Sequence, residues 1–437
     1  MALSQSYHAG KGGCTVIASV NRQPILNQDF AVSGFELSYR RAAEGAATAA
    51  YSGIDSTICR VLTNSFYGFS PEELTNGGSA YIGFTNTLIL EGFLDLYPSD
   101  RFIIEVQPNL FMDENLANCL SDLRHKGYSL SLKSYTPTVE RSGNLKYLGM
   151  FDVVRVDIGK YHRLKVKESV KILRKYRARL MAENIGTPEE LALARELGFD
   201  LFQGSVFGEP ADVSSYVSLR DVPYGKLFNH LLTGRVNRDL CARIILEDPA
   251  LTHMFLRKIF NNRHNRKAPQ LEVERGLNKI DDIKLRHWAA VLLLDQACAG
   301  GSDEQVPQVY RRGLLMEHLA KAADLGIPTG KAFMFGVSSS LDKILGEDME
   351  TISSQLALGN SMRSALLSGE NNDYSALLKA AQALEAGPES PKLPPAFSRL
   401  SSETLNKIYW DCQVNTEYIT LALEYTVPPP YKGNVLH

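Results

Sequence analysis

The chain has 437 residues, of which 44% are hydrophobic and 22% charged, and its formal net charge is −2. This length exceeds what one ordinary domain needs, and the composition is that of a globular protein rather than a disordered one. A net charge so close to zero excludes a global attraction to nucleic acid or to anionic lipid.

The N-terminal residues have no cationic start followed by an apolar stretch, so no signal peptide is predicted. No apolar run approaches the roughly 20 residues that span a bilayer. The six cysteines are scattered and form no Cys-x-x-Cys motif, which predicts reduced thiols and no zinc site. We therefore expect a cytoplasmic protein without a membrane span and without a cofactor.

Short apolar strands alternate with amphipathic helices over about the first 210 residues, a pattern typical of an α/β fold. One helix is well marked, with Thr187 as its cap, Pro188 at its first position, Glu190 completing a capping box and Gly198 at its end. The predicted strands are Ala31–Tyr39, Ser79–Thr85, Phe102–Gln107, Tyr128–Lys133, Phe151–Ile158, Leu180–Glu183 and Leu201–Phe207.

From about Pro223 onward, strand patterns vanish and helical periodicity dominates. A boundary near Pro210–Pro223 divides the chain into a first domain, 1–212, and an all-helical second domain, 213–437. The predicted helices of the second domain include Leu227–Leu232, Leu240–Leu246, Leu251–Phe260 and Val309–Ala323.

Charged side chains recur on one face of the predicted strands, because residues two apart along a strand share a face. In a (β/α)8-type barrel that face looks inward, toward the carboxyl ends of the strands. Buried charges are costly unless they are paired or bound to a ligand, so an internal ion-pair network and a ligand site both stay open. The residues in question are Glu36, Arg40, Glu105, Lys133, Arg155, Asp157 and Glu183.

Phe35–Arg40 and Leu201–Phe207 resemble the first and last motifs of the EAL domain, a (β/α)8-type barrel that hydrolyses cyclic di-GMP with two divalent metals. The resemblance covers the whole first domain. It implies that Glu36 and Glu105 match metal-ligating glutamates and that Arg40 matches an arginine that holds a substrate phosphate. Eight positions keep the character of an EAL motif residue, and Arg155 does so as a cation in place of the family's lysine. They are the possible ligand-binding positions: Gln23, Glu36, Arg40, Glu105, Arg155, Asp157, Glu183 and Gln203.

Other positions depart from the EAL pattern. Gly83 stands where the family has a metal-binding asparagine, and Lys133 and Ser134 stand where it has two adjacent aspartates. Because Mg²⁺ needs near-octahedral oxygen ligation and the family's reaction needs metal-activated water, we predict a degenerate site with no metal and no catalytic residue. We hypothesise that Lys133, Arg155 and Arg40 balance the glutamates in place of metal.

The second domain resembles the HDOD domain, a helical module related to HD phosphohydrolases but without their metal residues. Ile244–Leu251 matches its Asp-Pro-Ala-Leu helix start, with Asp248 as cap and Pro249 in the first turn. Within Lys331–Ile344, Ser339 and Ser340 stand in place of the His-Asp pair of active HD enzymes. The resemblance thus implies a second domain without metal-activated water.

Together these features predict a non-catalytic EAL–HDOD protein of bacterial signal transduction. It would act through protein partners in cyclic di-GMP-linked control of motility or biofilm formation. Two alternatives stay open: a metal-free cyclic di-GMP receptor and a residual cyclic di-GMP phosphodiesterase. A homodimer is also left open, because EAL domains often dimerise. The basic stretch Arg163–Arg179 is interpreted as a solvated helix face, and nucleic-acid binding is not predicted because no recognition signature accompanies it.

Overall fold

The structure is a computed structural model, and it describes residues 15–38, 58, 62, 74–100, 102–106, 114–135, 144–260, 268–297, 305–388 and 391–425. Its strands, in chain order, are β1 Thr15–Asn27, β2 Val32–Ser38, β3 Ser79–Phe84, β4 Ile103–Val106, β5 Leu130–Tyr135, β6 Val153–Asp157, β7 Arg179–Glu183, β8 Leu201–Phe202 and β9 Ala211–Ser218.

Strands β1 to β8 form a closed barrel. From β2 to β8 each strand pairs in parallel with the next, and β1 closes the ring by pairing antiparallel with both β2 and β8. β9 extends the sheet beside β1. The (β/α)8-type architecture predicted from the alternating pattern is confirmed.

The helices between the strands of the barrel include α1 Asn86–Leu90, α2 Glu114–His125, α3 Arg163–Leu173 and α4 Pro188–Glu196. The signals read for α4 are confirmed. The Glu190 amide donates to Thr187 Oγ1 at 3.2 Å, and the Thr187 amide donates to Glu190 Oε2 at 3.2 Å. At the other end, Gly198 follows the helix with φ +75°. A left-handed residue there satisfies the last carbonyls of the helix.

The last predicted strand, Leu201–Phe207, is wrong in its length. β8 ends at Phe202, and Ser205–Phe207 forms a 3-10 helix instead. The chain leaves the sheet because Gly204 passes directly over the backbone of Ile185, where a Cβ atom would overlap. The Ile185 amide donates to the Gln203 carbonyl at 3.1 Å, so the turn after β8 is fastened to the turn after β7.

Apolar side chains form two layers in the barrel. The larger layer lies between the strands and the surrounding helices and contains the outward-facing residues of the central strands, such as Ile104 and Val154. A smaller cluster fills the inside of the barrel at the amino ends of the strands: Ile25, Tyr81, Val153, Met181 and Leu201. The inward positions nearer the carboxyl ends are left for polar residues.

The remainder of the described chain, after β9, is helical, as predicted. Its helices are α5 Pro223–Leu232, α6 Arg238–Glu247, α7 Pro249–Phe260, α8 Pro269–Lys279, α9 Asp282–Ala297, α10 Val306–Ala322, α11 Thr329–Ser338, α12 Asp342–Leu345, α13 Met349–Gln355, α14 Asn360–Leu367, α15 Asp373–Glu385 and α16 Ser402–Tyr425. None of the described helices is long and apolar enough to cross a membrane.

The compact units of the chain interleave in sequence. One comprises the described residues within 1–17, 216–247 and 274–437, and the other those within 18–215 and 248–273. Helix α7 therefore packs with the barrel. Asp248 caps it as predicted, accepting from the amides of Ala250 and Leu251 at 2.6 and 3.1 Å. Ala250 is fully buried in the apolar layer of the barrel, and His253 Nε2 lies 3.2 Å from Glu91 Oε2.

Candidate functional site

The polar residues inside the barrel come from neighbouring strands at matching heights. The sheet register places Gly83 beside Glu105, Glu105 beside Ser131, and Asp157 beside Glu183. Gly83, Glu105 and Glu183 each lie two residues beyond a residue of the inner apolar cluster on the same strand, namely Tyr81, Ile103 and Met181. They form the layer that faces the carboxyl-terminal mouth, where (β/α)8 barrels place their active sites.

Arg155 is the centre of this layer. Its Nε donates to Glu183 Oε2 at 2.8 Å, its Nη2 donates to Glu36 Oε2 at 2.8 Å, and its Nη1 donates to Glu105 Oε1. Nη2 also donates to Gln203 Oε1. The arginine side chain is only 2% exposed. One guanidinium thus binds an oxygen atom from each of four side chains that come from four strands or strand ends.

Lys133 and Gln203 complete the network at its open side. Lys133 Nζ donates to Glu36 Oε1 and lies 3.8 Å from Glu105 Oε2. Gln203 Nε2 donates to Glu36 Oε2 at 2.8 Å. The Lys133 side chain is 25% exposed, whereas those of Glu105 and Glu183 are almost fully buried. We call Glu36, Glu105, Glu183, Lys133 and Arg155 the carboxylate–arginine cluster.

Burial and ion pairing have opposing effects on the pKa values of three groups of the cluster: Glu36, Glu105 and Arg155. For Glu36, burial would raise the pKa, but Arg155 and Lys133 outweigh it and lower the pKa to about 2. For Glu105, burial prevails over the attraction of Arg155 and raises the pKa. Burial would lower the pKa of Arg155, yet Glu105, Glu36 and Glu183 raise it further above its ordinary value. The guanidinium is therefore permanently charged.

Three buried oxygen atoms of this layer have no hydrogen-bond partner among the described residues: Glu105 Oε2, Glu183 Oε1 and Ser131 Oγ. Three carboxylates face two cations, so the formal charge of the cluster is −1. The sequence analysis did not single out Ser131. Its inward position two residues before Lys133 was the available signal.

The comparisons with known proteins agree with this barrel. The chain is 26% identical over 377 residues to the uncharacterized protein YuxH of Bacillus subtilis strain 168, covering 84% of this chain and 90% of YuxH. It is 25% identical over 353 residues to the cyclic di-GMP phosphodiesterase CdgJ of Vibrio cholerae, covering 79% of this chain and 80% of CdgJ. The barrel itself has the (β/α)8-type topology.

Among solved structures, the EAL-containing YkuI protein of Bacillus subtilis, in complex with its substrate c-di-GMP and calcium, aligns with a TM-score of 0.37 and 17% identity. The alignment covers 60% of this chain and 72% of YkuI. No protein-family model matches the chain.

The side chains inside this barrel, as they are arranged, do not fit two divalent cations. The four oxygen atoms that converge on one point already bind the Arg155 guanidinium, and the Lys133 ammonium lies beside them. At Gly83 a Cβ atom would meet nothing within 4 Å, so the space for the family's asparagine exists but holds no donor. Among the described residues, no group of three or more His, Cys, Asp or Glu side chains is arranged as a metal site.

The backbone at Lys133 and Ser134 also departs from a regular strand. The register between β5 and β6 shifts between Leu132 and Tyr135, and Ser134 has φ +51°. This is a bulge, which re-aims the side chains next to it. The two positions where the family carries adjacent aspartates are thus found at an irregularity of the strand.

The remaining predicted site residues lie around the cluster or outside the described residues. Asp157 was considered both for an ion-pair network and for a ligand site. Its carboxylate accepts from Asn184 Nδ2 at 2.8 Å and from the Lys160 amide at 3.0 Å. Gln23 is half-buried on β1 and pairs with Glu36 of β2 in the sheet. Arg40 lies outside the described residues, and so does Gln107.

A buried arginine, Arg312, contacts the predicted degenerate HD position. Arg312 Nη1 donates to Ser340 Oγ at 2.5 Å, while its Nε and Nη2 bind the two carboxylate oxygens of Glu385 at 2.7 and 2.6 Å. Ser339 is the C-cap that follows helix α11, and its Oγ donates to the Gly336 carbonyl at 2.7 Å. Neither serine is placed with metal-binding side chains among the described residues.

A further buried polar chain in the helical part was not anticipated. His287 Nε2 lies 2.8 Å from Glu317 Oε2, and Tyr310 Oη lies 2.8 Å from His287 Nδ1. Phe333 stacks on the imidazole with ring centroids 4.0 Å apart. Tyr310 and Glu317 are seven residues apart on α10, and this two-turn spacing was the only sequence signal. Because all three polar side chains are buried and bonded to each other, they act as a packed core network.

Proposed function

We propose that this chain is a non-catalytic signalling protein, a pseudoenzyme whose EAL-like barrel carries a fixed arginine where active relatives would need metal. The observation that supports this most directly is the position of Arg155, which binds the carboxylates of Glu36, Glu105 and Glu183 at once. Those are the oxygen atoms that a divalent cation would otherwise require.

The chemical argument follows from what a guanidinium can do. It neutralises carboxylates, but it has no open coordination position and cannot lower the pKa of a bound water as a divalent metal does. No other activating base is placed at the inner layer of the described residues, because its carboxylates are held in the carboxylate–arginine cluster. Hydrolysis of a phosphodiester therefore has no activated nucleophile here.

The cyclic di-GMP link in this proposal comes from the relative CdgJ, which is a cyclic di-GMP phosphodiesterase. We propose that 213–437 is an HDOD module and that the protein acts through contacts with other proteins of such a pathway, in control of motility or biofilm formation. The two cations of the cluster that could contact a phosphate, Lys133 and Arg155, are already paired with carboxylates. This supports protein contacts over metal-free binding of an anionic dinucleotide.

Calorimetric titration of the full-length protein with cyclic di-GMP tests the proposal, once in EDTA and once in Mg²⁺, with the products separated by chromatography. A variant that restores Asn at Gly83, Asp at Lys133 and Ser134, and Lys at Arg155 is the matched control for a competent site. We expect neither heat nor product from the natural chain in either buffer.

The other outcomes are equally informative. Binding in EDTA without product would replace the proposal by a metal-free cyclic di-GMP receptor. Product that forms only with Mg²⁺ or Mn²⁺ would make the protein a phosphodiesterase and overturn it.

A further inference from the structure

Helix α3 (Arg163–Leu173) and the turn after it carry an excess of positive charge in a protein whose net charge is −2. Val166, Val170 and Leu173 bury one face of the helix against the barrel. The opposite face is exposed. Its unpaired cations, which we call the basic face, are Lys165, Lys167, Lys171, Lys175 and Arg177.

These five side chains differ from the other cations of the segment. Arg163 is paired with Glu196 at 2.5 Å and Arg174 with Asp200 at 3.2 Å. The five residues of the basic face form no ion pair among the described residues, and Glu168 is the one acidic residue between Arg163 and Arg179. The basic face therefore keeps a local charge of about +4, which solvent and small ions alone must balance.

An apolar side chain projects from the same surface. Leu164, in the first turn of α3, is 64% exposed, more than the other exposed large hydrophobic residues of the described chain. A single exposed leucine is ordinary on its own. Here it lies between Arg163 and Lys165 at the start of the basic face, so any partner that neutralises the lysines also meets Leu164.

The chemistry of this surface favours lipid over protein or nucleic acid. Lysine is depleted in protein interfaces, and leucine is under-represented among their hot spots. Single-stranded nucleic acid is bound on exposed aromatic platforms, but Tyr161 and Tyr176 beside the basic face are half-buried. A cluster of four to eight Lys and Arg residues on a helix is instead typical of sites for anionic lipid headgroups.

We infer that the basic face of α3 adsorbs reversibly to anionic phospholipid headgroups, with Leu164 reaching into the interfacial region. Lysine is suited to this contact, because its long stem follows the surface while the ammonium stays hydrated. Each basic side chain near an anionic surface strengthens binding by about fivefold. The adsorption weakens as salt screens the charges, and it requires no membrane-spanning segment. This inference is independent of the proposed function.

Co-sedimentation of the full-length protein with vesicles tests it, using phosphatidylcholine alone and phosphatidylcholine with phosphatidylglycerol. The test variant carries Lys167→Glu, Lys171→Glu and Lys175→Glu. The matched control carries Lys321→Glu, Lys343→Glu and Lys379→Glu, which are exposed lysines of the helical part and change the net charge equally. We expect binding to anionic vesicles only, reduced at least about a hundredfold in the test variant and several-fold less affected in the control.

The role of Leu164 has its own pair of variants. Leu164→Asp should weaken vesicle binding, whereas Leu271→Asp, at a leucine that is 61% exposed on α8, should weaken it less. If the test and control variants lost vesicle binding equally, net charge alone would explain the binding. That result would overturn the assignment to α3. Retention on immobilised poly-L-glutamate without vesicle binding would overturn it in favour of an acidic protein partner.

Discussion

Arg155 and Glu183 are buried partners on adjacent strands of the barrel, with Nε of the arginine 2.8 Å from Oε2 of the glutamate. The same guanidinium also binds Glu36 and Glu105. A buried ion pair is a poor indicator of net stability, because desolvation offsets much of the attraction. Removal of one partner is a different matter, since it leaves uncompensated charge in the interior.

Arg155→Ala should lower the free energy of unfolding by about 3–5 kcal/mol in EDTA, because two buried carboxylates and the partly buried Glu36 lose their common partner. Mn²⁺ or Ca²⁺ should restore much of that loss in the variant and leave the natural protein unchanged, since the vacated point is surrounded by oxygen atoms. Urea unfolding with and without the cation measures both effects.

Two controls accompany that experiment. Arg163→Ala removes an exposed arginine whose partner Glu196 is also exposed, and it should cost less than about 1 kcal/mol. Arg155→Lys keeps a charge but cannot reach all partners, so it should lie between the natural protein and the alanine variant. Equal stabilisation of natural and Arg155→Ala protein by cations would contradict the idea that arginine occupies the cation position.

Lys133→Asp should destabilise the barrel in metal-free buffer by roughly 2 kcal/mol or more, because it replaces the partner of Glu36 and Glu105 by a fourth carboxylate in the cluster. Lys133→Met, which keeps the apolar stem, should lose less. Thermal unfolding in EDTA separates the two variants. An unchanged melting temperature for Lys133→Asp would count against a structural role for this lysine.

Glu36→Gln should change how stability depends on pH. The folded-state pKa of Glu36 is lowered from 4.5 to about 2, so its contribution of about 3 kcal/mol is complete above the unfolded pKa and is lost as the pH falls toward 2. The stability difference between natural protein and Glu36→Gln should therefore be largest near pH 6–7 and shrink below about pH 4.5. Urea titrations at several pH values test this, and a constant difference would refute it.

Arg312→Ala should destabilise the helical part by about 2–3 kcal/mol, because Glu385 loses a bidentate partner and Ser340 loses a donor. Ser340→Ala should cost only about 1 kcal/mol. Unlike the barrel variant, Arg312→Ala should not be restored by Mn²⁺, since a single carboxylate remains there. Stabilisation of Arg312→Ala by Mn²⁺ would contradict this expectation, because it would require further metal ligands at this position.

Much of the fold could be predicted from local signals. The apolar alternation located the central strands to within a few residues, and the capping box of Thr187 and Glu190 fixed the start of α4. Both depend on neighbours in sequence. The early end of β8 could not be found in this way, because it results from the contact of Gly204 with Ile185, a segment that only the closed barrel brings nearby.

The sequence predicted which side chains of the site point into the barrel, but not which contacts they make there. Alternation placed Glu36, Glu105 and Arg155 inside the barrel, and the ion pairs among them are present. Two features could not be predicted, because they depend on side-chain length and strand register. One is that a single guanidinium binds three carboxylates, and the other is that Asp157 bonds to Asn184. Likewise, Arg312 and Glu385 are 73 residues apart, a distance over which no local pattern connects them.

Helix α7 has a consequence for how this protein can be cut or recombined. Although α7 follows the boundary expected near residue 212, its Ala250 fills part of the apolar layer of the barrel, and residues 248–273 belong to the same compact unit as 18–215. A gene fragment that stops after β9 would encode a barrel that lacks α7, and the apolar layer would be left incomplete where Ala250 packs. A fragment meant to fold as the barrel must therefore extend through residues 248–273.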